Sequence, residues 1–174
     1  MKKEWKLQRS KKAYQNHIKI NQDTYISPDG KEVTFDIINL PHTVCILAID
    51  KNQQVVLTNQ FRPGHKKCLL EIPGGYINED ENPQKAAERE LKEETGYSGK
   101  LEYITKCYDD GYSTMVRHCY VATSCTRRGE QKLDANEHIE VVLVSLDEFK
   151  KIIRSGQMTD VEVGFLGLNY LDLL

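Results

Sequence analysis

Long apolar runs are missing from the 174 residues: the longest, 44–49 and 141–144, are strand-sized, against the roughly 20 residues a membrane helix needs. No apolar stretch follows Lys2, Lys3, Lys6, Arg9, Lys11 and Lys12, so neither a signal peptide nor a membrane partner is expected. An excess of positive charge is missing too. With 24 Lys and Arg against 26 Asp and Glu the net charge is -2, which offers no field to hold a nucleic-acid backbone. The basic terminus reads as a solvated, mobile tail rather than a phosphate-binding arm. Cys45, Cys68, Cys107, Cys119 and Cys125 are odd in number, with no CxxC and no paired His, which excludes a disulfide framework and points to a reducing cytoplasm. Cys45 and Cys119 lie inside apolar strand patterns, where a thiol acts as a small hydrophobe rather than a zinc ligand. Repeats and low-complexity segments are absent, and the length suits one domain with a small extension.

What is present is a mixed pattern of strands and separated helices. Ile18 and Ile20, then Val33, Phe35 and Ile37, alternate with polar residues around the turn sequence Ser27-Pro28-Asp29-Gly30, which predicts a hairpin. Segments 44–49 and 55–57 flank Asp50-Lys51-Asn52-Gln53 and predict a second, more buried one. A strand is expected over 69–72, ending at Pro73-Gly74-Gly75, followed by strands over 101–108, 118–123 and 140–144. Asn82 as N-cap, Pro83 at the first helical position and Gly96 past the end bound a helix over 83–95. Ser145-Leu146-Asp147-Glu148 opens a helix to about 155 closed by Gly156, and the capping-box spacing of Thr159 to Glu162 predicts a last helix with Val161, Phe165, Leu168 and Leu171 on one face. The class is α/β or α+β, a sheet sandwiched by helices.

Glu90, Glu93 and Glu94 fall within about 100° of arc on the first helix. Like charges at this spacing cost about 0.2 to 0.5 kcal/mol per pair, so folding gains nothing from them alone. Glu81, Glu90, Glu93 and Glu94 against Arg89 leave three net negative charges, and a cation is expected there. Hard oxygen donors without His or Cys suit Mg²⁺, with Mn²⁺ an option, rather than zinc. Gly74-Gly75 offers bare backbone, a carbonyl for a metal or an N–H for a phosphate. The alternative is a solvated acidic helix face.

Written out, Gly75, five residues, Glu81, seven residues, then Arg89-Glu90-Leu91-Lys92-Glu93-Glu94-Thr95-Gly96-Tyr97 resembles the signature of the Nudix hydrolases at every fixed position. Chance would produce it with a probability on the order of 10⁻⁷ at ordinary residue frequencies. Tyr97 stands where the family usually has an aliphatic residue. Asn59-Gln60-Phe61-Arg62, Leu70-Glu71-Ile72-Pro73-Gly74-Gly75 and Glu137-His138-Ile139-Glu140-Val141 are similar to the ADP-ribose and nucleotide-sugar pyrophosphatase branch.

The resemblance implies a Nudix-type α/β/α sandwich with a mixed central sheet over 41–174, and an N-terminal β-hairpin extension over 1–40 that serves as a homodimerisation element. It implies Mg²⁺-dependent hydrolysis of a phosphoanhydride, with ADP-ribose or a nucleotide sugar yielding a nucleoside monophosphate and a sugar phosphate. Carried over by position, Glu90, Glu93, Glu94 and the Gly74 carbonyl are the expected metal ligands. Those three glutamates and Glu137 form the expected catalytic set, Glu137 positioning or deprotonating water. Arg62, Glu71, Gly75 and Tyr112 are expected at the substrate, while Arg89 and Glu81 hold the motif together. The branch usually carries a proline 15 or 16 residues past the box; here Tyr112 and Ser113 stand there, and tyrosines in that loop also fit dinucleoside polyphosphate hydrolases. A nucleoside triphosphatase, a non-catalytic nucleotide sensor and an acidic scaffold are the other readings.

Overall fold

A computed structural model describes residues 4–174, ordered as ten strands and three helices. The chain divides into two compact units, residues 1–42 with 108–116, and residues 43–107 with 117–174. Lys2 and Lys3 of the basic terminus lie outside the described residues.

In the first unit, β1 (Lys6–Gln15), β2 (Lys19–Ile26) and β3 (Glu32–Asn39) form an antiparallel three-stranded sheet. The expected β2–β3 hairpin is present, turning at Gly30 with φ of 88°. The mobile tail is corrected: Lys6, Arg9, Lys11 and Lys12 belong to β1, paired along its length with β2 though every side chain is exposed. Backbone pairing holds this segment, so its polar sequence carried no burial pattern to reveal it. Trp5, Tyr25 and Phe35 make edge-to-face contacts at 6.0 to 6.5 Å. Phe35 also meets Tyr112, with ring centroids 6.2 Å apart.

The second unit is built on a mixed sheet ordered β10 (Ile139–Ser145), β5 (Gln54–Arg62), β4 (Thr43–Asp50), β9 (Val116–Arg127), β8 (Tyr97–Tyr108). β6 (Lys67–Glu71) pairs with β5, and β7 (Gly74–Tyr76) with β4. β4 pairs with β9 in parallel register and runs antiparallel to β5 and β7. β4 is apolar throughout because both its faces are covered. Val44, Ile46 and Ala48 pack toward Ala86, Ala87 and Leu91 of α1 (Pro83–Thr95). Cys45, Leu47 and Ile49 pack toward Phe149 and Ile153 of α2 (Leu146–Ser155) and Val163 and Leu168 of α3 (Val161–Tyr170). Alternation along one strand thus feeds two cores and yields the α/β/α sandwich.

Helix α1 has the expected bounds, with Asn82 Oδ1 accepting from the Lys85 N–H at 2.9 Å and Gly96 in the left-handed region. Helix α2 opens on Ser145, whose hydroxyl accepts from the Glu148 N–H at 3.2 Å. Helix α3 differs from expectation: Asp160, with φ of 55°, is its N-cap and gives no side-chain cap. The Thr159 hydroxyl is instead turned to the Asp160 carboxylate, at 2.8 Å. Strand β7 was not expected, since proline and glycine disfavour pairing; there the glycines let β4 approach. A Cβ at Gly74 would lie 2.1 Å from the Val44 carbonyl oxygen.

Candidate active site

Arg89 organises the acidic face of α1, all five of its N–H donors being used. Nε and Nη2 donate to Glu81 Oε1 and Oε2, both at 2.9 Å, and Nη2 also donates to the Tyr76 carbonyl at 3.0 Å. Nη1 donates to Glu90 Oε1 at 2.7 Å and Glu93 Oε2 at 3.1 Å. The guanidinium fork and its side-chain hydrogen bond hold the Glu81 carboxyl below its ordinary range. The Asn78 N–H donates to Glu81 Oε2 at 3.1 Å, so the loop before the helix is tied to the helix itself.

Glu90 and Glu94 point inward; Glu93 is 40% exposed. The Gly74 N–H donates to Glu94 Oε2 at 2.9 Å. A Cβ on Gly75 would fall 2.5 Å from Glu90 Oε1, so only glycine leaves room for that carboxylate. Burial pushes Glu90 up despite Arg89. Burial first, then the neighbouring charges of Glu90, Glu137 and Glu71, push Glu94 up to about 8 against the Gly74 N–H. Glu94 therefore feels Glu71, Glu90 and Glu137, and Glu90 feels Glu93 and Glu137. Such crowding opposes folding unless a cation is supplied.

Among the described residues no three His, Cys, Asp or Glu side chains already converge on one point as ligands would. Arg89 holds Glu90 and Glu93, and the Gly74 N–H holds Glu94. A divalent cation there competes with one guanidinium nitrogen and one amide for carboxylates already at hand. The donor set, all hard oxygen, fits magnesium or manganese.

Arg62, at the end of β5, forms a two-pronged pair with the buried Glu71, its Nε donating to Oε1 at 2.6 Å and its Nη2 to Oε2. Arg62 is half-exposed and within the field of Glu94. Glu137 lies on a loop folded over the C-terminal end of α1, where its Oε2 accepts from the Asp134 N–H at 3.0 Å and its charge is felt at Glu90 and Glu94. There Arg128 N–H donates to the Gly96 carbonyl at 2.7 Å, and Lys132 N–H to the Glu93 carbonyl at 2.8 Å. Gln131 Nε2 bridges the Glu94 and Ile139 carbonyls at 2.6 and 3.0 Å. Gln131 escaped the sequence reading because a lone amide in a polar loop carries no spacing signal. So did Asp160, whose 3.4 Å approach to Arg117 Nε is tertiary; an aspartate, which tolerates the left-handed region, just before an apolar run was the only hint in the sequence. Tyr112 belongs to the first unit, beside Phe35.

Residues 39–160 match the NUDIX domain family. The ADP-ribose pyrophosphatase of Bacillus subtilis (strain 168) is 32% identical over 149 residues, covering 84% of this chain and 80% of that protein. The methanol dehydrogenase activator of Bacillus methanolicus is 29% identical over 159 residues, covering 90% and 85%. A solved structure described as an ADP compounds hydrolase aligns with a TM-score of 0.84 over 97% of this chain and 94% of that one; at 19% identity it bears on the fold alone. The chain belongs to the Nudix family, in its ADP-ribose pyrophosphatase branch, and is a pyrophosphohydrolase.

Proposed function

We propose that the chain hydrolyses the diphosphate linkage of a nucleoside diphosphate joined to a second moiety, ADP-ribose or a nucleotide sugar, releasing a nucleoside monophosphate and a sugar phosphate. The observation that carries this is the glutamate cluster of α1, gathered against the bare backbone of Gly74 and Gly75 with raised carboxyls at Glu90 and Glu94. The names of the relatives support the substrate class.

In this reading Glu90 and Glu94 hold Mg²⁺ or Mn²⁺, with Glu93 and the Gly74 carbonyl as further donors. When bound, the metal lowers the pKa of water and neutralises charge on the phosphate oxygens. Glu137, brought in by its loop, orients the attacking water and accepts its proton. Arg62, oriented by Glu71, binds a phosphate oxygen or the ribose, and Gly75 lets the diphosphate approach the backbone. Arg89 and Glu81 keep the loop and helix in register.

The free thiols fit a cytoplasmic enzyme. Homodimerisation through residues 1–40 completes the assignment, and a light-scattering mass near that of one chain would remove it. The deciding experiment is a substrate panel of ADP-ribose, nucleotide sugars, dinucleoside polyphosphates and triphosphates with Mg²⁺. Fastest turnover of the first two supports the assignment, and preference for triphosphates refutes it. Preference for dinucleoside polyphosphates would favour the reading that Tyr112, in place of a proline, raised.

A further inference from the structure

The β8–β9 pair holds thiols for which the hydrolytic site has no use. Cys107 on β8 and Cys119 on neighbouring β9 have Sγ atoms 3.6 Å apart. Cys45 on β4 stands in register beside Cys119. Cys45 and Cys119 are buried, whereas Cys107 is half-buried. Neighbouring strands lie about 4.8 Å apart, inside the Cα separations a disulfide spans, so rotation of the two side chains suffices to join them.

The geometry points to a reversible disulfide between Cys107 and Cys119, formed by a hydroperoxide. The Cys107 thiolate attacks a peroxide oxygen and breaks the O–O bond, giving a sulfenic acid and, after protonation, water. The Cys119 sulfur then attacks the Cys107 sulfur and expels hydroxide, which leaves as water with the Cys119 proton. Two thiols and one hydrogen peroxide become a disulfide and two waters, two electrons passing from sulfur to oxygen. Cys107 is the first to react because it alone of the three is accessible, and Cys45 is turned to the Asp160 carboxylate at 3.9 Å. Burial pushes the Cys107 thiol up and Cys119 up to about 12, so the bond forms slowly near neutrality and faster as pH rises.

The position gives the bond a consequence. Cys107 is the last residue of the second unit before 108–116 departs from it, and Cys119 lies just beyond the return at Arg117. Joining them closes the segment that carries Tyr112 into a covalent loop.

The test treats the reduced full chain with hydrogen peroxide at raised pH, alkylates the remaining thiols and maps peptides without reduction. Expected are one Cys107–Cys119 linked peptide, loss of two of the five alkylatable thiols, reversal by dithiothreitol, and slower proteolysis within 108–118. Cys107→Ser should abolish the link and the protection, while Cys68→Ser should behave as the unsubstituted chain. A Cys45–Cys119 link, an intermolecular Cys68 link as the sole product, or five thiols left intact would overturn the proposal. None of these readouts involves hydrolysis.

Discussion

Two adjacent glycines do different work at the residue scale, and substitution should separate them. At Gly75 an added methyl meets the end of the Glu90 side chain, 2.5 Å away, and a flexible carboxylate can swing aside. Gly75→Ala should therefore cost under about 1 kcal/mol of stability while turnover falls about 100-fold, because a displaced metal or substrate position is punished steeply. At Gly74 the methyl meets the Val44 carbonyl at 2.1 Å and the Cys45 Cα at 3.0 Å, backbone that cannot yield without shifting β4. Gly74→Ala should lose about 2 to 3 kcal/mol. Urea denaturation beside steady-state rates checks both, and equal stability losses would contradict the distinction. The glycine doublet and the glutamate spacing were legible because spacing on a helix is fixed by its pitch. That the Gly74 N–H would cap Glu94 was not, since it depends on a strand pairing across the box.

Elements were legible where their ends carry local chemistry. Asn82, Pro83 and Gly96 bound α1, and Ser145 and Gly156 bound α2, each acting on its own helix terminus. The start of α3 failed that test because Asp160 is spent on a tertiary contact. Arg117, on β9, lies 3.4 Å from Asp160 and 2.5 Å from Glu162. The Asp160 carboxyl, its side chain 14% exposed, is pushed up by desolvation, opposed by Thr159 and Arg117 and aided by Glu162 and Glu71; the Cys45 thiol also faces it. Arg117→Met should cost about 2 to 3 kcal/mol by leaving that carboxylate uncompensated. A carboxyl whose folded pKa is raised contributes stability that is present at acid pH and lost as pH rises through the folded value. Without Arg117 the rise is larger, so the deficit of the variant should shrink on going from about pH 8 to pH 5. Thermal melts at the two pH values decide; a deficit that grows on acidification would show that Asp160 stays ionised without its partner.

For the molecule as a whole, burial is unevenly shared. The second unit holds the apolar core, whereas among the described residues of the first only Thr24 and Ser27 are buried. In the monomeric chain, amide exchange in β1 should accordingly be orders of magnitude faster than in β4, which is buried from Val44 to Asp50; a slowing of β1 exchange with rising protein concentration would mark the partner's cover in the proposed dimer. A net charge of -2 likewise hides a local concentration. Three glutamates on α1, with Glu71 and Glu137 in their field, meet Arg62 and Arg89 as their cations in hydrogen-bonded contact. A cation bound by the folded chain alone stabilises it by mass action, about 1.4 to 2.7 kcal/mol at 10 to 100 times its Kd, which for this size is about 3 to 8 °C in Tm. Mg²⁺ or Mn²⁺ should raise Tm by that much and a chelator should reverse it. Glu94→Gln keeps an oxygen for the Gly74 N–H and removes a costly buried charge, so the variant should fold at least as stably. It should nevertheless lose both the cation-dependent shift and about 10³-fold in turnover. An undiminished shift in that variant would place the cation away from α1, and undiminished turnover would remove Glu94 from the chemistry.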